Sequence, residues 1–167
     1  LANDLGNLAQ RSLSMIAKHC GGKVPARRTF AEADTALLER AETALATARE
    51  AMARQAIHTA LGAIFEVVSE ANRYFAAQEP WALRKSDPAR METVLYTTAE
   101  VLRRIAILCQ PYIPGSAGKL LDLLSVPADR RSFADLGAAG MLQPGTELPT
   151  PQPVFPRYME PEEGQGA

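Results

Sequence analysis

The chain has 167 residues, of which 18 are basic and 19 acidic, so its formal net charge is -1. Apolar residues make up 47% and charged residues 22%, a balance that predicts a folded core and excludes global disorder. No run approaches the roughly 20 apolar residues that predict a membrane-spanning helix, and the near-zero charge excludes binding to nucleic acid by bulk electrostatics alone.

Helical features dominate the composition. The 29 alanines and the low aromatic content of 6% favour closely packed helices over sheet. No proline occurs in residues 26–79 or 89–110, and both intervals are long enough for helices, whereas six of the 12 prolines lie at or beyond Pro144. The sequence therefore predicts an all-α fold, an antiparallel bundle of about five helices followed by an extended, proline-rich C-terminal tail.

The predicted helices follow in chain order from proline, glycine and apolar spacing. Residues 1–18 form the first, and Gly21-Gly22 is typical of a helix end, where glycine tolerates the left-handed conformation. Apolar residues at 3–4 spacing predict the next three helices, over residues 38–52, 57–75 and 91–108. Asp87-Pro88 is typical of a helix start, and a short fifth helix is expected at about residues 116–124.

The composition changes near residue 142. Residues 1–141 are expected to form the helical domain, and residues 142–167 a proline-rich tail that packs back on it or is partly disordered. Val154-Phe155 is the one compact apolar pair of that tail. Because the first residue is a leucine inside a predicted helix, we expect the chain to be a piece of a longer protein.

The sequence contains no recognisable catalytic or metal-binding arrangement. Cys20 and Cys109 form no CxxC pair, which is typical of reduced, partly buried thiols in a cytosolic protein. No Ser-His-Asp set, phosphate-binding glycine loop or metal-ligand spacing can be assembled, so we predict no catalytic residue and no metal site. Charged residues of the second helix are interpreted as a solvated pattern, namely Asp34, Glu39, Arg40, Glu42 and Arg49.

One face of the first helix carries a polar stripe. Its members are separated by three or four residues and therefore lie on one side of a helix: Asn3, Asn7, Arg11, Ser14 and Lys18. An amide one turn from a guanidinium suits the hydrogen-bonding edges of a base, because both groups can form paired bonds in fixed geometry. The alternative is an ordinary solvated helix face.

A second candidate feature surrounds the only tryptophan. Trp81 follows Pro80 in the predicted turn between two helices, and Pro80 fixes the backbone there. An exposed indole beside Arg73, Arg84 and Lys85 has the parts of a base-stacking platform with cationic support. The alternative is that Trp81 covers the end of the apolar core, as many single tryptophans do.

Four segments resemble signatures of one known family, in the same order and spacing. Residues 1–15 resemble the opening helix of the anticodon-binding domain of bacterial methionyl-tRNA synthetases. Later segments similar to this domain are residues 71–85, residues 111–120 and residues 153–157. The related valine, isoleucine and leucine enzymes typically carry a Lys-Leu-Trp-Asn type signature that is absent here. The cysteine enzyme is a closer cousin, but the Pro80-Trp81 turn favours the methionine family.

The resemblance assigns roles to individual residues. Asn7 and Arg11 resemble the pair that forms hydrogen bonds with the anticodon bases, and Trp81 resembles the indole that stacks on the first of them. Pro80 matches the residue that sets the pose of that indole. Lys18, Arg73, Arg84 and Lys85 would then hold phosphates, which adds affinity without sequence specificity.

The resemblance also implies a larger enzyme. In this family the nucleotide-binding half of the enzyme binds ATP and carries an inserted zinc knuckle. That half lies outside these residues, so this chain is expected to need no cofactor itself. The implied partners are initiator and elongator methionine tRNA and the protein's own catalytic domain, in a cytoplasmic monomer that attaches methionine to tRNA. An alternative reading is a helical protein–protein interaction module with Trp81 as its interface anchor. A bundle enzyme or metal protein is disfavoured because the ligand and catalytic spacings are absent.

Overall fold

The computed structural model describes residues 1–156, and Arg157, at the end of the fourth family-like segment, lies outside them with the rest of the tail. After a π-helical turn over Ala2–Gly6, six α-helices follow: α1 (Asn7–His19), α2 (Glu32–Ala53), α3 (Ile57–Gln78), α4 (Pro80–Ser86), α5 (Pro88–Cys109) and α6 (Pro114–Leu123). Between residues 1 and 156 the single β-type pairing is an isolated bridge of Lys23 with Glu147. The predicted all-α fold is confirmed, with five longer helices and one short one.

Helix ends lie where the turn-forming residues predict them. The side chain of Asp87 accepts a hydrogen bond from the backbone N–H of Arg90 at 3.0 Å, and Pro88 occupies the first position of α5. Gly21 and Gly22 follow α1 with φ angles of 63° and 68°, the left-handed region that glycine enters without a steric penalty. These local signals separate α1 from α2 and α4 from α5.

Helix α5 lies at the centre of the bundle and contacts α1, α2, α3, α4 and α6. The sequence predicts one apolar stripe on it, yet every residue from 93 to 109 is buried, including Glu100, Arg103 and Arg104. Both arginines donate to the carboxylate of Glu100, and Arg103 also donates to the carbonyl oxygen of Asp135 at 2.7 Å. These bonds satisfy the buried charges. From their charge alone, the three side chains would be predicted to lie at the surface.

Three sequence-based expectations are wrong in detail. The side chain of Asp34 is fully buried and is not part of a solvated pattern, because it has hydrogen-bond partners inside the bundle. Met52 and Ile57 are the end members of the apolar spacings over residues 38–52 and 57–75, and such spacing predicts burial, but they are 42% and 52% exposed. The reason is that the turn from α2 to α3 lies between them at one end of the bundle. The segment at Trp81 is the helix α4 rather than a simple turn.

The described part of the tail packs on the bundle. The backbone N–H of Leu142 donates to Glu100 at 3.0 Å, and the carbonyl of Leu142 accepts from the hydroxyl of Tyr96 at 2.8 Å. Val154 is buried in the common core, and the ring of Phe155 lies against Gly6, where a Cβ atom would be only 3.1 Å from it. No helix within residues 1–156 has the length and apolarity that crossing a bilayer requires.

Candidate nucleic-acid interface

Helix α1 presents the polar stripe to solvent, as its spacing predicts. Asn3, Asn7, Arg11, Ser14 and Lys18 are all exposed, while Leu8, Ser12 and Ile16 on the opposite side are buried. The amide nitrogen of Asn7 donates to the backbone carbonyl of Asn3 at 2.8 Å, inside the π-helical turn. This bond holds the amide nitrogen of Asn7, so the amide oxygen is the acceptor that remains for a ligand.

Arg11 is the residue of the polar stripe that contacts the tryptophan. Its guanidinium carbon lies 5.4 Å from the ring centroid of Trp81 and 5.1 Å from that of Phe75. The two rings are 6.0 Å apart and meet edge to face at 61°. Cation–π attraction at these distances holds the guanidinium in place before any ligand arrives. The structure therefore joins Arg11 and Trp81, which are 70 positions apart in the sequence.

The backbone around Pro80 sets the position of the indole. Helix α3 ends at Gln78, Glu79 adopts a left-handed φ of 44°, and the buried ring of Pro80 starts α4. Proline suits this first helical position because its missing N–H would be unpaired there in any case. Trp81 is the next residue, packs one edge on Phe75 and keeps 43% of its surface exposed.

The basic residues fall into two places. Arg84 and Lys85 lie in the last turn of α4. The pKa of His19, at the end of α1, is lowered by desolvation and by the positive charges of Arg84 and Lys18. Arg73 lies instead in a groove between α2 and α3, a cavity of about 320 Å³ that Tyr74 and Gln78 also line. Residues of α2 form the other wall of that groove.

The sequence reasoning missed two residues of this surface. Phe75 was assigned to the core, yet its ring supports both Arg11 and Trp81. His19 was not assigned to this surface, although it directly follows Lys18, the last member of the polar stripe. Within residues 1–156 no group of three or more His, Cys, Asp or Glu side chains is placed to hold a metal ion.

Comparison with known proteins identifies the domain. Residues 24–165 match the family described as the anticodon binding domain of methionyl tRNA ligase. The chain belongs to this family. The match begins after α1, so the domain's family assignment does not depend on Asn7, Arg11 or Lys18.

Relatives of this anticodon-binding domain extend the similarity over nearly the whole chain. This chain is 71% identical over 163 residues to the methionine–tRNA ligase of Brucella suis. The aligned region covers 98% of this chain and 32% of that protein. The corresponding enzyme of Mycobacterium tuberculosis is 52% identical over 170 residues, covering 99% of this chain and 32% of that protein. The chain thus spans about a third of the length of the curated relatives it matches.

Solved structures agree with the domain's fold. The apo methionyl-tRNA synthetase of Mycobacterium tuberculosis matches with a TM-score of 0.91 and 53% identity, over 96% of this chain and 33% of that one. A structure of the same synthetase in complex with methionyl-adenylate matches with a TM-score of 0.90 and 53% identity, over 94% of this chain and 31% of that one.

Proposed function

We propose that this domain recognises the anticodon loop of methionine tRNA, both initiator and elongator. The observation that carries the proposal is the contact of Arg11 with the exposed indole of Trp81. Bases of a single-stranded loop can unstack, so one of them can stack on Trp81 while Asn7 and Arg11 form hydrogen bonds with its edge. Pro80 holds the indole in the required position.

The distribution of charge supports a local binding surface. Of the 17 Lys and Arg residues within residues 1–156, nine form ion pairs, and eight have no carboxylate partner among the described residues. Those eight include Arg11, Lys18, Arg84 and Lys85 at this surface, and Arg73 in the groove between α2 and α3. Uncompensated cations attract phosphates, so a chain of net charge -1 can still bind RNA at this face.

The whole protein would then be a methionine–tRNA ligase. In it, this domain identifies the tRNA while a separate catalytic domain uses ATP, with zinc as a further candidate component, to attach methionine. Residues 1–141 would be the recognising domain, and residues 142–167 the tail. We propose a cytoplasmic monomer as its working form. The high identity to methionine–tRNA ligases over nearly the whole chain supports this assignment.

Binding of a synthetic RNA stem-loop tests the proposed function. The probe carries CAU, the complement of the methionine codon, and it is titrated into the full chain. Trp81→Ala should weaken binding by about ten- to hundredfold, because stacking contributes roughly 1–3 kcal/mol per base. Ile57→Ala is the matched control, since Ile57 is also exposed but lies at the other end of α3, roughly 30 Å away. Equal affinity of the Trp81→Ala variant and the unaltered chain would contradict the stacking role of Trp81. It would also contradict the proposal that this domain recognises the anticodon loop.

A further inference from the structure

A side-chain hydrogen bond joins the residues on either side of the short helix that carries Trp81. Gln78 is the last residue of α3, and Arg90 lies in the first turn of α5. The guanidinium of Arg90 donates to the amide oxygen of Gln78 at 2.6 Å, across 12 positions of sequence. The segment between them contains the whole of α4, and therefore Trp81, Arg84 and Lys85.

A buried carboxylate fixes the direction of the Arg90 guanidinium. Two nitrogens of Arg90 donate to the two oxygens of Asp34, at 2.5 and 2.8 Å. Asp34 is fully buried at the start of α2 and also accepts from the hydroxyl of Tyr74 and the backbone N–H of Ala31. A bidentate pair of this kind has one favoured geometry, so Arg90 is directed towards Gln78 by a rigid support.

We propose that the Asp34 cluster, defined as Asp34, Tyr74, Gln78 and Arg90, positions Trp81. No contact described for these four residues joins them to the indole, so they act by holding both ends of its helix. Helix α4 has only seven residues, and isolated helices shorter than about 12 residues are marginal in water. Its direction therefore depends on how α3 and α5 hold it, and the Gln78–Arg90 bond ties those two helices together.

Two substitutions of the same length separate positioning from simple packing. Gln78→Met removes the oxygen that accepts from Arg90 and keeps the side-chain volume, whereas Gln78→Glu keeps an accepting oxygen. Because Trp81 is the only tryptophan, the decay of its fluorescence anisotropy reports the motion of the indole directly. We expect the indole to move more freely in Gln78→Met than in the unaltered chain. In Gln78→Glu we expect the indole to move as it does in the unaltered chain.

The consequence for RNA rests on the proposed function and is measured separately. With the CAU stem-loop, Gln78→Met should bind about three- to tenfold more weakly, the range expected for loss of a supporting contact outside the site. Gln110→Met is the control, because Gln110 donates to the carbonyl of Arg131 beyond the other end of α5 and its loss should leave both readouts unchanged.

The two readouts distinguish the possible failures. Unchanged indole motion in Gln78→Met overturns the proposal, and so does unchanged RNA affinity in a variant whose indole moves more freely. If the unaltered chain does not bind the stem-loop, the proposed function fails, and the anisotropy measurement alone decides whether the Asp34 cluster holds Trp81.

Discussion

Asp34 shows how one buried residue can organise three helices. It lies in the first turn of α2, accepts from Tyr74 of α3 and forms an ion pair with Arg90 of α5. Burial alone would raise the pKa of the Asp34 carboxyl, but hydrogen bonds from Arg90, Tyr74 and Ala31 lower it below the ordinary value of 3.8. The folded protein therefore stabilises the charged form of this side chain.

This lowered pKa predicts a pH-dependent contribution to stability. The contribution is complete above pH 3.8 and decreases as the pH falls through the lower pKa of the folded state. Asp34→Asn should lower the free energy of unfolding by about 2–4 kcal/mol at pH 7, because Arg90 loses its ionic partner. The difference between the variant and the unaltered chain should become smaller near pH 3, as measured by denaturant unfolding at both pH values.

An exposed ion pair provides the control for Asp34. Asp122 pairs with Arg131 at 2.7 Å, but its side chain is 69% exposed, so Asp122→Asn should cost at most about 1 kcal/mol. A stability loss in Asp34→Asn that stays the same from pH 7 to pH 3 would show that the charged carboxylate is not the source of the stabilisation.

At the scale of elements, α4 has the densest set of proposed RNA contacts. Its seven residues include Trp81, Arg84 and Lys85, and its start is fixed by the left-handed Glu79 and the buried Pro80. Arg84 and Lys85 follow Trp81 by three and four residues, so the two cations lie one helical turn from the indole on the same face of this short helix. This arrangement places a phosphate-binding position next to a base-stacking one.

Lys85 on α4 should contribute affinity without specificity. Lys85→Ala is expected to weaken binding of stem-loops with any anticodon by the same factor, because phosphates are present in all of them. The slope of log affinity against log salt concentration should decrease by about 0.7, the value for one phosphate contact to single-stranded nucleic acid. Binding titrations at several salt concentrations measure both quantities.

Lys119 of α6 is the matched control, since it also has no carboxylate partner among residues 1–156 but lies on another helix. Lys119→Ala should leave the salt slope unchanged. An equal change in slope for the two lysine variants would indicate non-specific attraction to the whole chain rather than a contact at α4.

For the whole molecule, local patterns predicted most of the helices. Proline and glycine positions, with 3–4 apolar spacing, were sufficient for α1, α2, α3, α5 and, to within two residues at each end, α6, because these signals act within a few residues of the chain. The burial of every residue from 93 to 109 of α5 could not be predicted, because Glu100, Arg103 and Arg104 are satisfied by each other and by distant carbonyls. The burial of Asp34 was missed for the same reason.

The candidate site was predicted only in part. Spacing places Asn7 and Arg11 on one exposed face, and Pro80 predicts a fixed backbone next to Trp81. The distance between Arg11 and Trp81 depends on how α1 packs beside α3 and α4, which no local pattern encodes. The supporting role of the Phe75 ring could not be predicted for a related reason. A residue on an apolar stripe is assigned to the core, yet its ring can also pack directly beneath a surface site.

Discrimination between anticodons tests the central claim most directly. The measurement is the affinity of the unaltered chain, Arg11→Ala and Arg49→Ala for the CAU stem-loop and for loops with one anticodon base changed. Arg49 is the matched control because its guanidinium also covers an aromatic ring, that of Phe133 at 5.5 Å, away from Trp81.

We expect the unaltered chain and Arg49→Ala to bind the changed loops about tenfold or more weakly than CAU, because a well-formed base contact contributes roughly 1–3 kcal/mol of discrimination. Arg11→Ala should lose most of this difference. Equal affinity of the unaltered chain for all of the loops would contradict anticodon recognition by this surface.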